Sequence, residues 1–583
     1  MRALLRIVFA VCTLAALLTT TPAFANSTVT ILNGNLPGVG FNDPTPAAPV
    51  GGNAGTTLGA QRLIAFQHAA NLWAARLDSA VEIRVLATFE ALTCTATGAV
   101  LGSAGTLFIF SDFPGASLAN TWHHSALADK LALFELNPDP FLGFTPAPDI
   151  RARFNSSIGT VPGCLTGTTW YHGLDANEAP NQIDLVAVVL HELGHGVGFS
   201  QFASVTSGAQ PANLTDVYGV NLLDTTTFKT WNQMTNAERA ASAINSRHLV
   251  WDGPQVTADA PSVLAAGTPI LRVTAPAAIA GIYDVGTASF GPPLTSAGVA
   301  GQVVQALDVA EPAAPPLLAG TTTDGCSPIL NAAAIAGKIA LVDRGLCGFV
   351  VKVKNAQNAG AIAVIVADNV AGSPPAGLGG ADPTITIPSV RITLAAGNTI
   401  KPHLAGGVTG MLTLDLTLLS GADLSGRVFM NAPNPVQPGS SVSHWDTLAF
   451  PNQLMEPAIN ANLTHSLVPP QDLTMSLLRD IGWYPDADVD GFADDVDECD
   501  ASDLSPTVVV GGTDTGVANL MFTNGCTMND EIIAAAAAAN NHGLFVGAVS
   551  QLANAWRGAG LITDQEKAAI QTAAAESGIG KSE

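Results

Sequence analysis

Apolar residues recur at helix and strand spacing along the first part of the chain. A stripe with three- and four-residue spacing lies within residues 58–77 and predicts a helix with one buried face. Its members are Leu63, Phe66, Ala70 and Trp73. Val81–Phe89 alternates apolar and polar side chains and predicts a strand, and Leu107–Phe110 predicts a shorter one. This region is therefore expected to mix helices with strands.

A different pattern follows in the middle of the chain. Residues 265 to 420 are rich in Ala, Gly, Pro, Val and Thr and carry few charges. Lys338–Asp343 predicts a strand, Phe349–Ala359 a helix closed by Gly360, and Ala361–Ala367 a buried strand. This order and spacing are typical of a βαβ unit.

Two further helices are predicted from their apolar stripes. The stripe of the first consists of Ile183, Val186, Ala187, Leu190, Gly194 and Val197. His191 and His195 lie on an adjoining face, and Gly198 is placed to end the helix. Gly194 and Gly196 each weaken it by about 1 kcal/mol relative to Ala, which indicates close approach of another backbone or an imminent turn. The stripe of the second consists of Leu473, Leu477, Leu478 and Ile481.

Composition and charge narrow the classes of function. A length of 583 residues corresponds to roughly four domains. The apolar fraction of 48% supports sizeable cores, and a net charge of -24 argues against binding to nucleic acid or to an anionic membrane surface. Beyond the N-terminal region, no segment has the run of about 20 uncharged apolar residues that a spanning helix needs.

The N-terminal pattern is typical of a secretory signal peptide. Arg2 and Arg6 precede an apolar run over Ile7–Leu18. Ala23-Phe24-Ala25 then fits a cleavage site after Ala25. The protein is therefore expected to be secreted. The cysteines beyond Cys12 form three pairs that are local in sequence, and an exported chain favours disulfides. We expect Cys94–Cys164, Cys326–Cys347 and Cys499–Cys526.

The segment His191-Glu192-Leu193-Gly194-His195 carries the clearest chemistry. Two histidines four residues apart on a helix can bind one zinc ion, and a glutamate after the first can accept a proton from an activated water. A catalytic zinc usually takes three protein ligands, so a third must lie elsewhere. Gln201 occupies the last position of the longer HExxHxxGxxH pattern but is a poor ligand. The other candidates are Asp216, Asp224, Glu238 and His444.

His444 is favoured by its surroundings. Ser443-His444-Trp445-Asp446 is followed by Gln453-Leu454-Met455-Glu456-Pro457, and here the sequence resembles the leishmanolysin-type metzincins. The resemblance implies that His191, His195 and His444 bind zinc and that Met455 forms the floor of the site without binding the metal. It also implies that Glu192 is the general base of a zinc-dependent endopeptidase. A catalytically inactive secreted binding or adhesion protein on the same scaffold is the alternative, although pseudo-enzymes tend to lose the glutamate.

The middle region resembles a protease-associated (PA) domain. The resemblance rests on Gly337–Phe349, the helix after it and Ala361–Asn369, and it extends over about 290 to 415. Such domains often have a disulfide at the positions of Cys326 and Cys347. The resemblance implies a module for substrate access or protein interaction, inserted between His195 and His444; a passive spacer is the alternative.

An acidic segment from Asp486 has the spacing of a calcium-binding loop. The expected calcium ligands are Asp486, Asp488, Asp490, Phe492 through its carbonyl, Asp494 and Asp497. Because Pro485 interrupts any preceding helix, the segment resembles a thrombospondin type 3 or dockerin-like repeat more than an EF-hand.

Together these patterns predict an α+β metzincin-like catalytic domain with an inserted α/β PA domain, a small calcium-loop module and a helical C-terminal tail. The expected divisions are a signal peptide at 1–25, a catalytic domain in two parts at 26–264 and 421–485, and the PA insertion at 265–420, followed by the calcium module at 486–528 and the tail at 529–583. The expected cofactors are Zn²⁺ and a structural Ca²⁺, and the expected partners are protein or peptide substrates that the PA domain engages.

Overall fold

The chain before residue 265 alternates short strands with helices. The structure is a computed structural model that describes residues 27–312, 319–460, 462–484, 497–499, 501–522 and 524–581. The strands of this part are β1 (Val29–Asn33), β2 (Ile83–Glu90), β3 (Gly102–Thr106), β4 (Ile109–Phe110), β5 (Thr121–His124), β6 (Ile150–Asn155), β7 (Thr169–Tyr171), β8 (Gln182–Asp184), β9 (Thr215–Asp216), β10 (Leu222–Asp224), β11 (Lys229–Thr230) and β12 (Leu249–Trp251). The helices are α1 (Leu58–Ala74), α2 (Ser125–Ala132), α3 (Leu185–Val197), α4 (Asn236–Ser242) and α5 (Pro254–Val263).

A four-stranded sheet in the order β1-β2-β6-β3 forms the first layer of this part. β1, β2 and β6 run parallel, and β3 pairs antiparallel with β6 at one edge. The predicted helix within 58–77 is confirmed as α1, and the predicted strand over 81–89 as β2. α1 and α3 pack on the sheet through a core in which the rings of Phe66 and Phe154 meet edge to face at 4.6 Å.

An eight-stranded mixed sheet is formed by the middle region. Its strands are β13 (Ala266–Ala275), β14 (Gly281–Asp284), β15 (Gly286–Thr287), β16 (Val299–Gln305), β17 (Ile339–Asp343), β18 (Ala363–Ala367), β19 (Ser389–Ile392) and β20 (Val408–Leu419). Its helices are α6 (Ala332–Ile335), α7 (Phe349–Asn358) and α8 (Leu394–Ile400). The strand order is β14-β13-β20-β16-β17-β18-β19-β15, with β16 to β19 parallel.

The predicted βαβ unit is confirmed as β17-α7-β18. β17 and β18 pair in parallel, and α7 is followed by Gly360 with a φ of +87°, a conformation that favours glycine. Both strands are buried among aliphatic side chains on each face, as expected for the centre of a parallel sheet.

Residues 420–484 return to the first part of the chain. Met430 N–H donates to Leu249 O at 3.0 Å, so the chain re-enters beside β12. This stretch includes the predicted second helix as α9 (Thr474–Asp480). Trp483 then donates from Nε1 to Val197 O at 2.7 Å, at the end of α3. Residues before and after the eight-stranded sheet therefore share one core within the compact unit Ser27–Tyr484.

The C-terminal residues form a second compact unit. It contains the antiparallel pair β21 (Thr507–Val510) and β22 (Thr513–Ala518). Its helices are α10 (Met528–Ala538), α11 (His542–Gly558) and α12 (Asp564–Glu576), in agreement with the helical tail predicted from residue 529. Their core includes Phe545, Val549, Trp556 and Ile570.

Three disulfides are present, and they are the three expected pairs. Cys94–Cys164 lies in the first part of the chain, Cys326–Cys347 beside the parallel strands, and Cys499–Cys526 in the C-terminal unit. The expected signal peptide at 1–25 lies outside the described residues. Within the described ranges, none of the helices combines the length and apolar composition that a membrane crossing needs.

Candidate metal centre

Helix α3 carries the HExxH segment into the core. Its N-cap is Asp184, whose side chain accepts a hydrogen bond from Val186 N–H at 2.9 Å. Every residue of the helix is buried. The helix ends at Gly198, whose φ of +144° favours glycine. His191 and His195 therefore lie one turn apart on the same face of this helix.

Three histidine nitrogens converge on a single point. The Nε2 atoms of His191, His195 and His444 are each 3.2 Å from the other two. Each ring also places Nδ1 against a backbone carbonyl: His191 against Leu454 O at 2.7 Å, His195 against Phe199 O at 2.8 Å, and His444 against Ser440 O at 2.9 Å. If each Nδ1 carries the donated proton, each Nε2 has a free lone pair.

This donor set fits a zinc ion. Three Nε2 lone pairs that face one another cannot satisfy each other, but a cation between them can. Tetrahedral zinc with Zn–N distances of about 2.0–2.1 Å requires nitrogens roughly 3.3–3.4 Å apart, close to the separation in this structure. A hydrogen bond from Nδ1–H to a carbonyl is also the usual outer-shell support of a zinc-binding histidine.

Burial keeps the three imidazoles in the form that binds metal. It lowers the pKa of His191 to about 4 and that of His195 to about 3, and it holds the pKa of His444 well below its ordinary value. Mutual repulsion among the rings adds to the effect for His195 and His444. The rings are therefore neutral near pH 7, as metal ligation requires.

Glu192 is held by the edge strand β3. Its Oε2 accepts a hydrogen bond from Ala104 N–H at 2.9 Å, and Gly102 leaves room for the side chain. A Cβ at Gly102 would lie 2.9 Å from Glu192 Cγ. Burial raises the pKa of Glu192 to about 8, and a cation held by the three histidines would lower it again, so that the carboxylate could act as a base. The carboxyl is thus fixed in orientation next to the histidine cluster.

Met455 lies beneath the histidine helix. The side chain is fully buried, and a Cβ at Gly194 would lie 2.8 Å from its Sδ. The preceding Leu454 is held through both of its backbone polar groups, because its N–H donates to Asp472 Oδ2 at 2.6 Å and its carbonyl accepts from His191. The turn that carries Met455 therefore also orients one member of the cluster.

The two helix glycines are explained by side chains. The sequence indicated approach of another backbone or a turn, whereas Gly194 meets Met455 and Gly196 meets Ile150 of β6. A Cβ at Gly196 would lie 2.6 Å from Ile150 Cγ2, a methyl group of a fully buried β-branched side chain with little freedom at χ1. Small residues here allow α3 to lie close to both the sheet and the turn.

Replacing Gly196 by alanine is expected to destabilise the fold. The Cβ would overlap the buried Ile150, and overpacking typically costs about 1–3 kcal/mol, more than the roughly 1 kcal/mol that alanine gains in helix propensity. Urea unfolding of the purified protein measures the change in the free energy of unfolding. Gly105→Ala in β3 is the control, because no atom lies within 4 Å of its added Cβ. Equal stability of the two variants would contradict this packing argument.

The other candidates for a third ligand lie away from the cluster or are already bonded. Asp216 accepts hydrogen bonds from Phe202 N–H and Gly219 N–H, and Asp224 caps the turn after β10. Glu238 closes the capping box of α4 and pairs with Lys229 at 2.5 Å. Gln201 has a buried Oε1 without a hydrogen-bond partner among the described residues, and its N–H lies 3.4 Å from Ser443 Oγ.

Two histidines support the site without belonging to it. His465 Nε2 lies 2.6 Å from Asp184 Oδ2, at the N-cap of α3. His124 Nε2 lies 2.9 Å from Ser200 Oγ, which in turn donates to His195 O at 3.3 Å. Neither residue could be singled out from the sequence, because both act through polar contacts with residues that are distant along the chain.

Most of the expected calcium ligands lie outside the described residues. These are Asp486, Asp488, Asp490, Phe492 and Asp494. Asp497 is described, and its Oδ1 accepts a hydrogen bond from Cys499 N–H at 2.7 Å. Calcium binding by this segment stays a prediction.

A buried carboxyl cluster lies beside α2. Asp129, Glu135 and Asp149 place carboxylate oxygens within 4.8 Å of one another. Burial and the neighbouring Asp129 raise the pKa of Asp149 well above its ordinary value, although Arg84 N–H donates to it at 2.8 Å. Asp149 is therefore expected to keep its proton at neutral pH.

Asp149 is expected to make stability fall as pH rises. An unfolded aspartate loses its proton near pH 4, whereas the folded one retains it, so the native state binds more protons over the interval up to the raised pKa. Asp149→Asn removes this proton uptake and should flatten the decline in thermal midpoint between about pH 5 and pH 8. Asp139→Asn, an exposed position in the same loop, is the control. An unchanged pH profile in Asp149→Asn would contradict the assignment.

Comparisons with known proteins locate similarity in parts of the chain. Residues 299–400 match the sequence profile of the PA domain. Vacuolar-sorting receptor 3 of Arabidopsis thaliana is 35% identical over 153 residues, which are 25% of this chain and 23% of the receptor. The "Probable lipoprotein aminopeptidase LpqL" of Mycobacterium tuberculosis is 36% identical over 105 residues, 18% of this chain and 20% of that protein. The chain thus spans about a quarter or less of these relatives.

Solved structures give a weaker likeness. BSAP, a zinc aminopeptidase from Bacillus subtilis, has 20% sequence identity and a TM-score of 0.19 over 27% of this chain and 36% of that one. An aminopeptidase from Aneurinibacillus sp. strain AM-1 has 18% identity and a TM-score of 0.20 over 34% and 42%. Scores this low do not establish a shared fold. The residues that match the profile also form the parallel strands β16 to β19 of the eight-stranded sheet. The chain therefore contains a PA domain at residues 299–400.

Proposed function

We propose that this protein is a secreted zinc-dependent endopeptidase of the metzincin type. The observation that carries the proposal is the convergence of three Nε2 atoms, each 3.2 Å from the others, beside a buried glutamate. His191, His195 and His444 would hold the metal, and bound zinc would supply Lewis-acid chemistry at a substrate carbonyl. Three protein ligands also leave a fourth position for the reaction, as in catalytic zinc sites.

Glu192 would move the proton in this reaction. Ala104 N–H holds Oε2, which leaves Oε1 as the oxygen that accepts a proton from the attacking water. The same carboxyl would then give the proton to the leaving amine. The hydrogen bond from β3 fixes the orientation of the carboxyl, so little reorganisation is needed when the substrate binds.

The buried floor and the disulfides support the rest of the proposal. Met455 packs against Gly194. In the proposed site it would form the floor beneath the metal without binding it, as the metzincin resemblance implies. The three disulfides favour an oxidising compartment and therefore an extracellular location. LpqL, whose name describes an aminopeptidase, is a partial relative, so the test must distinguish endopeptidase from aminopeptidase cleavage.

The full-length protein is expected to digest labelled casein and to cleave an internally quenched peptide blocked at both ends. A zinc chelator should abolish both activities, and added Zn²⁺ should restore them. Leucine p-nitroanilide, which offers a free amino terminus, is expected to remain intact. Cleavage of the free-amine substrate alone would indicate an aminopeptidase. One bound zinc with no cleavage of any substrate would favour the inactive binding protein.

A further inference from the structure

A cavity separates the eight-stranded sheet from the segment that carries His444. Its volume is about 890 Å³, at the upper end of the roughly 300–1,000 Å³ typical of ligand sites. Arg344, Asp368 and Arg391 line it from the sheet, and Asn431 and Gln437 line it from the opposite segment. Both walls belong to the compact unit Ser27–Tyr484.

Buried polar atoms on the lining residues lack partners. Ser389 Oγ, Arg391 Nε and Arg247 Nε are buried and have no hydrogen-bond partner among the described residues. Ser389 is 4% exposed and Arg391 is 7% exposed, so bulk water does not replace the missing partners. Two of these atoms can only donate, and the hydroxyl can donate as well. These three atoms lie beneath the cavity surface, and Arg344, whose side chain is more exposed, offers the accessible donors of the wall.

The charges around the cavity favour a ligand that carries acceptor oxygens. Asp368 is the single carboxylate shared by two guanidinium groups, since it pairs with Arg344 at 3.0 Å and with Arg391. Arg247, the third arginine of the lining, pairs with the half-exposed Asp284 at 2.6 Å. The whole chain holds only 23 Lys and Arg against 47 Asp and Glu, yet three arginines border this one cavity. Arginine side chains of this kind bind carboxylates in a bidentate manner.

The cavity wall continues into the metal centre. Asn431 N–H donates to His444 O at 2.8 Å, and Asn431 Nδ2 donates to Ser440 O at 3.2 Å. Ser440 O is also the acceptor for His444 Nδ1. On the other side, Ser373 and Asn434 exchange backbone hydrogen bonds of 2.9 and 2.7 Å, which join a loop of the sheet domain to this wall. A molecule in the cavity would therefore lie next to the segment around Asn431 that positions the third histidine.

We propose that this cavity is an exosite that binds a carboxylate-bearing segment of a peptide substrate while another part of the substrate reaches the histidine cluster. The inference rests on the proposed peptidase function, because the substrate of a peptidase is a peptide and a peptide can carry a carboxylate. The carboxylate is an acidic side chain or a C-terminus, and both would accept from the same arginines. The binding itself needs no bond to form or break.

The test is fluorescence anisotropy with a labelled hexapeptide, Ala-Pro-Ala-Pro-Ala-Glu, and full-length Glu192→Gln protein loaded with zinc. Arg391→Met should weaken binding at least roughly tenfold, as expected for a lost charged hydrogen bond. Ala371→Trp, in an exposed loop that lines the cavity, should block binding without removing any charge. Arg272→Met is the matched control, because Arg272 lies on β13, pairs with Asp415 at 2.8 Å and does not line the cavity.

Two modified peptides identify the source of the carboxylate. A C-terminal amide removes one carboxylate and a Glu to Gln change removes the other, and the peptide lacking both should no longer bind. Unchanged affinity in Arg391→Met and Ala371→Trp, or full affinity of the peptide without carboxylates, would overturn the exosite. If Arg391→Met fails to fold, Ala371→Trp alone decides between these outcomes. Cleavage of a short blocked peptide by the Ala371→Trp variant with Glu192 intact reports the proposed function separately.

Discussion

Replacing His444 by alanine is expected to remove zinc and peptidase activity together. The residue supplies one of three Nε2 atoms that are mutually 3.2 Å apart, and the remaining pair would have to hold the metal with two ligands. Since loss of an outer-shell partner alone weakens metal binding about 10–100-fold, loss of a direct ligand should exceed roughly 100-fold. Metal analysis after dialysis and competition with a chromophoric chelator measure the change.

Gln201→Ala is the matched control for this experiment. Gln201 occupies the position that would supply the third ligand in the longer motif, yet its N–H lies 3.4 Å from Ser443 Oγ and its Oε1 makes no hydrogen bond to any described residue, the cluster histidines included. The variant should keep one zinc per chain and should keep most of its activity. Retention of zinc in His444→Ala with loss in Gln201→Ala would reject the long-range site. Circular dichroism of both variants checks that the fold is retained.

Glu192→Gln should bind zinc normally and lose almost all activity. Glutamine preserves the shape of the side chain and can still accept from Ala104 N–H through its amide oxygen, but it cannot take a proton. General acid–base catalysis typically contributes about 10²–10⁴-fold, so kcat/KM on the quenched peptide should fall by that factor. The zinc content of the variant is measured on the same sample.

A second buried glutamate supplies the control for Glu192. Glu456 follows Met455 and accepts a hydrogen bond from Gln453 N–H at 2.8 Å, and burial raises its pKa to about 8. Glu456→Gln should keep this hydrogen bond and lower activity by less than about tenfold, because the residue has no role in proton transfer. Equal activity of wild type and Glu192→Gln would refute Glu192 as the base. Equal losses in the two variants would indicate a general effect of changing buried acids.

The part of the site that depends on local spacing could be predicted from sequence. Two histidines at i and i+4 lie on one helix face whatever the rest of the fold does, and α3 has that geometry. The βαβ unit of the PA domain is equally local, because hydrophobic strands and a glycine-terminated helix follow one another within a short stretch. His444 was different: periodicity does not link residues 249 positions apart, and only the family resemblance selected it.

The backbone groups that orient the site residues could not be identified from the sequence. Leu454, Phe199 and Ser440 contribute backbone carbonyls, and Ala104 contributes a backbone N–H, so their side chains carry no information about these roles. The same limit applies to the cavity between the sheet and the His444 segment. Its arginines are scattered along the chain, and only the pairing of distant segments brings them to one wall.

The separation of His195 and His444 also sets a delay during biosynthesis. At about 5–20 residues per second, the 249 residues between them take roughly 12–50 s to synthesise. Throughout that interval a nascent chain has the first two histidines and Glu192 but lacks the third nitrogen. The eight-stranded sheet is made within the same interval. In the proposed peptidase the metal site would stay incomplete until most of the chain exists, and the growing polypeptide would thereby be protected from cleavage.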